Sequence, residues 1–92
     1  MILWDREKNL WLIKNRGVSF EQAEEVILEK RYFDILENRA RPGQDIFIIP
    51  LEGYTYAVPF VLDKDGNMIL KTVYPSRKFH KRYGGRHETR KS

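Results

Sequence analysis

Hydrophobic and polar residues follow two different periods along this chain. Between residues 5 and 30 the apolar residues recur at spacings of three and four, which is typical of amphipathic helices. From about residue 32 to residue 74 they form short runs or alternate with polar residues, as in β-strands. The order predicts an α+β domain with two N-terminal helices packed on an antiparallel β-sheet of three to four strands. A short basic helix is expected at the C-terminal end.

Both N-terminal helices carry recognisable start signals. Asp5 can cap a first helix that runs to about Arg16, and Gly17 suits the left-handed residue that follows a last turn. Ser19 and Gln22 have the spacing of a capping box, which predicts a second helix of about ten residues starting at the next position. The chain should therefore begin with a helical hairpin.

The two helices should bury different kinds of face. In the first, the apolar positions give only a mixed face, made by Leu10, Ile13 and either Trp11 or Lys14. The second has a clear apolar stripe made by Phe20, Ala23, Val26 and Ile27. Its four glutamates fall mostly on the other side, where a solvated face is the simplest interpretation.

Four strands are predicted after the helices, at 32–36, 46–51, 54–62 and 67–74. Turn residues at Glu52-Gly53 and at 63–66 separate the last three, and a polar loop covers 37–45. Pro59 lies inside the third predicted strand and favours either an edge position or a bulge. Residues 1–4 are apolar and can form an edge strand or a packed arm.

The stretch from Ile69 to Tyr83 combines a strand with a basic, aromatic turn. Pro75 should end the last strand because it has no N–H to donate, and Ser76 can cap a short helix. On that helix Lys78 and Arg82 would share a face, since they are four residues apart. Cations, an imidazole and phenol groups should therefore meet at the end of one strand.

Charge is concentrated at the C-terminal end. Residues 1–70 carry nine Lys or Arg against twelve Asp or Glu, whereas residues 71–92 carry eight against one. This gives net charges of −3 and +7, which indicates either a solvated basic tail or a surface for phosphates or an acidic partner. Interleaved aromatic residues favour the binding surface.

Composition limits the class of protein. A chain of 92 residues makes one domain with a modest core, here expected to span 1–83, with a flexible basic tail over 84–92. The absence of cysteine excludes disulfide frameworks and thiolate zinc sites. No apolar run approaches the roughly 20 residues of a membrane span, so we expect a soluble cytoplasmic protein with no membrane partner.

Two stretches resemble a known family. Trp4-Asp5 with Lys8, and then the sequence Gly-Val-Ser-Phe-Glu from Gly17 with Ala23, is similar to the opening of the BrnT family of type II toxins. Ser76-Arg77-Lys78 is similar to the closing motif of that family. The resemblance implies a fold related to RelE-like ribonucleases, an RNA-cleaving toxin that inhibits translation, and a neutralising antitoxin of the ribbon-helix-helix type.

Metal-free RNA cleavage gives these residues candidate roles. The 2′-OH must lose a proton, the phosphate must be held in line, and charge builds on its oxygens. Imidazole exchanges protons most readily near neutral pH. We therefore assign catalysis to His80, Arg77, Lys78 and Tyr83. We assign RNA binding to Lys71, Tyr74, Lys81, Arg82 and Arg86, and expect neither a metal nor another cofactor.

Other interpretations of the same residues stay open. His80 can be an ordinary surface histidine, and Tyr74 can simply pack in the sheet. The basic patch can also serve a non-catalytic protein that binds an antitoxin or RNA, or a small nucleic-acid-binding regulator whose helix contacts phosphates. Single replacements separate these possibilities, because catalysis would be lost at one residue while binding would weaken gradually.

Overall fold

The structure, a computed structural model, describes residues 1–87 and arranges them around one sheet. The elements in chain order are β1 (Ile2–Leu3), α1 (Arg6–Arg16), α2 (Phe20–Leu28), β2 (Asp34–Glu37), β3 (Asp45–Leu51), β4 (Tyr54–Leu62), β5 (Met68–Leu70), β6 (Tyr74–Pro75) and α3 (Arg77–Tyr83), followed by a 3-10 helix (Gly84–His87). None of the helices in this part of the chain is long and apolar enough to cross a membrane.

The predicted start signals of the first two helices are confirmed. The Asp5 side chain accepts a hydrogen bond from the Glu7 N–H at 2.9 Å, and Gly17 has the left-handed φ of 69° that ends α1. The Ser19 hydroxyl accepts from the Gln22 N–H at 3.1 Å while the Gln22 side chain accepts from the Ser19 N–H at 2.9 Å. This reciprocal pair satisfies two donors that a helix end leaves open.

The α+β architecture is confirmed, with a mixed sheet of six strands ordered β1-β5-β4-β3-β2 and β6 also beside β4. The pairs from β2 to β5 are antiparallel, as the predicted meander requires. The sheet is mixed because the N-terminal segment adds β1 parallel to β5, with Ile2 beside Met68. Of the two expectations for residues 1–4, the edge strand is the one found.

The last predicted strand is split at the level of Pro59. Residues 71–73 leave the ladder between β5 and β6, and the Lys71 N–H donates to the Pro59 carbonyl at 2.8 Å. The N–H and C=O of a strand residue point the same way, so the missing N–H of Pro59 faces this interruption. Residues 58–59 of β4 therefore face three residues, 71–73, so the bulge expected at Pro59 lies in the segment opposite it, and β4 itself is central. The expectation that Pro75 ends the last strand is confirmed, and Pro75 itself still pairs with Tyr56 as the last residue of β6.

Helices cover both faces of the sheet. The larger core lies between the sheet and the first two helices. It consists of Leu12, Val18, Phe20, Ala23, Val26, Ile27, Phe47, Ile49, Leu51, Val58, Phe60, Leu70 and Val73. A smaller core lies beneath α3, where Tyr83 joins Ile46, Ile48 and Ala57. Alternating residues of β3 thus point to the two cores, as the period of a strand requires.

The face that α1 buries differs from the predicted one. Its buried residues are Asn9 and Leu12, whereas Leu10, Trp11 and Ile13 are 60%, 43% and 50% exposed. The Asn9 side chain accepts from the Phe20 N–H at 2.7 Å and donates to Glu21 at 2.7 Å. A polar residue that ties α1 to the start of α2 therefore occupies an inward position, and the apolar pattern alone could not identify that face.

The C-terminal region continues beyond α3 as a short 3-10 helix, Gly84–His87. The first four residues of the predicted flexible tail over 84–92 therefore form a helix. Residues 88–92 and the side chain of Arg86 lie outside the part of the chain that the structure describes.

Candidate functional site

The short helix α3 positions most of the predicted site residues. The Ser76 hydroxyl accepts from the Phe79 N–H at 3.2 Å, and the Ser76 carbonyl accepts from the His80 N–H at 2.8 Å, so the predicted cap is confirmed. Tyr83 is buried against the sheet, whereas Arg77 and Lys81 are exposed. Residues two apart on a helix point in nearly opposite directions. Lys78 and His80 are therefore on different sides of α3.

A cleft of about 630 Å³ lies beside α3. One wall comes from β6 and α3, and the other comes from the end of β2 and the loop that follows it. The lining residues are Leu36, Glu37, Arg39, Ala40, Ile46, Tyr74, Ser76, Lys78, Phe79 and Arg82. We call this the α3 cleft.

The α3 cleft is cationic and partly aromatic. Arg39 approaches from one wall, and Lys78 and Arg82 approach from the other, against a single carboxylate lining the cleft, Glu37. The ion pair found within residues 1–87 joins Arg31 and Glu29 at the C-terminal end of α2, so none of these three cations is in an ion pair with a described carboxylate. Cations on two walls can grip one phosphate from both sides, and an aromatic ring between them can stack on a base.

His80 lies outside the α3 cleft, in close contact with the β3–β4 hairpin. Its ring stacks on Tyr54 with centroids 4.0 Å apart, and Nδ1 is 2.9 Å from the Thr55 hydroxyl, which is fully buried. A Cβ at Gly84 would come within 3.1 Å of the ring, so the glycine leaves the space that the imidazole occupies. The contacts describe a histidine that joins α3 to β4.

Tyr83 also has a packed environment. Its side chain is 4% exposed, and its hydroxyl donates to Asp34 Oδ2 at 2.7 Å. Its ring lies nearly parallel to that of Phe33, with centroids 6.1 Å apart. These contacts attach α3 to the start of β2, and they hold the phenol group away from the α3 cleft.

The structure therefore brings together only some of the predicted residues. Lys78, Tyr74 and Arg82 line the α3 cleft, whereas Arg77 and Lys81 are exposed and do not line it. Lys71 is exposed in the segment that leaves the sheet ladder. The side chain of Arg86, also predicted to bind RNA, is outside the described part of the chain.

Two charged residues of the cleft were not among the predicted site residues. Glu37 ends β2 and Arg39 follows it in the loop, across the cleft from Lys78 and Arg82. The only sign of these two residues in the sequence is a polar loop that contains arginine, and an ordinary solvated loop has the same composition. Their role depends on the antiparallel pairing of β2 with β3, which brings the loop to the same face as α3.

Comparison with protein-family models, with curated proteins and with solved structures found no match to this chain. The family resemblance stays a prediction. Among residues 1–87, no three His, Cys, Asp or Glu side chains are grouped so that they could hold a metal ion.

Proposed function

We propose that this protein binds single-stranded RNA in the α3 cleft and cleaves it without a metal, as a toxin that inhibits translation. The observation that carries the proposal is the meeting of Arg39, Lys78 and Arg82 on two walls of one cleft. Tyr74 and Phe79 add aromatic surface between them. A cleft with cations on both walls suits a backbone whose phosphates recur, and exposed bases can stack on the rings.

The chemistry would use the RNA's own 2′-hydroxyl. Glu37 is the carboxylate that lines the cleft, and in this scheme it acts as the general base that accepts the proton of the 2′-hydroxyl. The 2′-oxygen then bonds to phosphorus while the bond to the 5′-oxygen breaks, and that oxygen takes a proton from solvent. Arg82 and Lys78 stabilise the negative charge that builds on the phosphate. His80 has no part in this scheme, because it lies against Tyr54 and Thr55.

A second candidate function is binding without cleavage, and a specific observation favours it. The two predicted proton-transfer groups of α3, His80 and Tyr83, both make contacts that hold the fold together. A protein that uses the α3 cleft only to hold RNA, or an acidic segment of an antitoxin, needs no proton-transfer group there. The two candidate functions differ in whether Glu37 takes part in cleavage.

The test measures binding and cleavage of the same RNA. Fluorescent single-stranded RNA is incubated with the purified protein, with its Glu37→Gln variant and with its His80→Gln variant. We expect Glu37→Gln to lower cleavage by roughly 10²–10⁴-fold with little loss of binding, the range usual for a general base. His80→Gln should retain cleavage in the folded protein. Products should end in a 2′,3′-cyclic phosphate, and EDTA should have no effect.

Each result has a defined meaning. Tight RNA binding with no cleavage by any form supports the second candidate. If the folded protein neither binds nor cleaves RNA, both RNA cleavage and RNA holding are refuted, and only the binding of an acidic antitoxin segment is left. Loss of cleavage in His80→Gln with full activity in Glu37→Gln would return catalysis to the imidazole.

The proposed partner is a cognate antitoxin, as the family resemblance implies, with a ribbon-helix-helix fold, and the proposed site of action is the cytoplasm. Acidic residues of such an antitoxin would compete with RNA for Lys78 and Arg82. Expression of the chain alone should slow growth and translation. Normal growth with abundant folded protein would contradict the toxin proposal.

A further inference from the structure

The outward face of α1 is apolar where the sequence pattern predicted burial. Leu10 and Ile13 are 60% and 50% exposed, and residues three apart on a helix are surface neighbours. Trp11 is 43% exposed and lies on the other side of Lys14. Together these three apolar residues form a patch, which we call the α1 patch, on the helix that contributes only Asn9 and Leu12 to the interior.

The indole of the α1 patch is already held in place. The Lys8 ammonium lies 4.4 Å from the centroid of the Trp11 ring, and the Arg16 guanidinium lies 4.8 Å from it. Arg16 is itself fixed, because its Nη1 donates to the Val73 carbonyl at 2.7 Å. A side chain that is ordered before binding loses less entropy when a partner covers it, and tryptophan is favoured at the centres of interfaces.

The charge around the patch selects the kind of partner. Helix α1 carries Arg6, Lys8, Lys14 and Arg16 against one carboxylate, Glu7. We propose that the α1 patch docks an amphipathic helix of a partner protein, with an apolar stripe that covers the patch and acidic residues on both flanks. Such a helix would meet both features of α1 at once, by apolar contact and by opposite charge. This inference is independent of the proposed RNA function.

Two other occupants fit less well. A second copy of this chain, related by a two-fold axis, would place the α1 cations of one copy opposite those of the other. An anionic bilayer would also match the charge. However, helices that bind at a bilayer surface separate their apolar and polar residues strongly onto two faces, whereas α1 separates them only weakly.

The test uses designed helical peptides of about 18 residues with leucines at helical spacing. One carries glutamates beside the apolar stripe, a second carries lysines there, and a third has the acidic composition in scrambled order. Binding is followed by fluorescence of the labelled peptides and by amide shifts of the isotopically labelled protein. We expect saturable binding of the amphipathic acidic peptide alone, with the shifts centred on α1.

Matched variants locate the site. The Leu10→Ser/Ile13→Ser double variant should weaken binding roughly tenfold or more, because both side chains belong to the contact and are exposed in the fold. Leu28→Ser is the control, since Leu28 is 66% exposed on α2 and outside the patch. Lys78→Gln/Arg82→Gln should leave binding unchanged, which separates the α1 patch from the α3 cleft.

Contrary outcomes are equally clear. The proposal fails if no peptide binds at millimolar concentration, if the lysine peptide binds as well as the acidic one, or if the double variant binds as well as the control. It also fails if the acidic peptide is inactive while vesicles of phosphatidylcholine and phosphatidylserine bind the protein through α1. Concentration-dependent dimerisation that Leu10→Ser/Ile13→Ser abolishes would replace the partner helix with a second copy.

Discussion

Replacing Tyr83 by Phe should reduce stability without changing the chemistry at the α3 cleft. The variant keeps the buried ring and its packing against Phe33, and it removes the hydroxyl that donates to Asp34 at 2.7 Å. Hydrogen bonds to charged groups contribute about 1.5–3 kcal/mol. Asp34 is only half-buried and also accepts from the Ile35 N–H at 2.8 Å, so water and this N–H still satisfy it in part. We therefore expect a loss near the lower end, about 1.5 kcal/mol.

Urea unfolding, followed by circular dichroism, gives the free energy of unfolding directly. A loss of this size should also lower the melting temperature by roughly 6–12 °C for a domain of this length. Asp34→Ala and the double variant complete a thermodynamic cycle, in which we expect a coupling of about 1 kcal/mol between the two side chains. RNA binding and cleavage at 20–25 °C should stay at the level of the unmodified protein. A Tyr83→Phe protein that is fully stable yet inactive would refute the structural role and restore the phenol to the chemistry.

Three further predictions concern the scaffold. Leu12→Ala should lower the free energy of unfolding by about 2–5 kcal/mol because Leu12 is fully buried, whereas Leu10→Ala should change it by less than about 0.5 kcal/mol, as denaturant curves will show. Ser76→Ala should cost about 0.5–2 kcal/mol through loss of the α3 cap, and a shift in the thermal midpoint checks this. Hydrogen bonds from Asn67 hold the pKa of Asp63 below its ordinary value. Stability from this turn should be present above pH 4 and fall as the pH drops further, and unfolding curves of Asp63→Asn should lack that dependence.

Local signals in the sequence were sufficient for the helix starts and for most strands. A cap such as Asp5 or the Ser19–Gln22 box acts within one turn, so its neighbours along the chain contain all the necessary information. Strand β4 has the predicted bounds, Tyr54–Leu62, because a turn residue marks each end. The interruption at Pro59 could also be anticipated, since a missing N–H has a direct consequence for the ladder.

Features that depend on contacts between distant elements could not be predicted. The inward face of α1 is set by the contacts of Asn9 with the start of α2, and a polar residue gives no apolar signal. The position of α3 on the opposite sheet face decides which of its side chains reach the cleft. Lys78 and Arg82 were identified because they lie four residues apart on one predicted helix. Glu37 and Arg39 were missed because their loop meets α3 only in the folded chain.

The central claim is that RNA phosphates lie in the α3 cleft, and a matched pair of arginine variants tests it most directly. Arg82 lines the cleft and Arg77 does not, although both belong to the same helix and both replacements by Gln remove one charge. Affinity for single-stranded RNA is measured over a range of salt concentrations. We expect Arg82→Gln to weaken binding by roughly tenfold or more and to reduce the salt slope by about 0.7, with a much smaller effect of Arg77→Gln. Equal effects of the two replacements would contradict binding in the cleft.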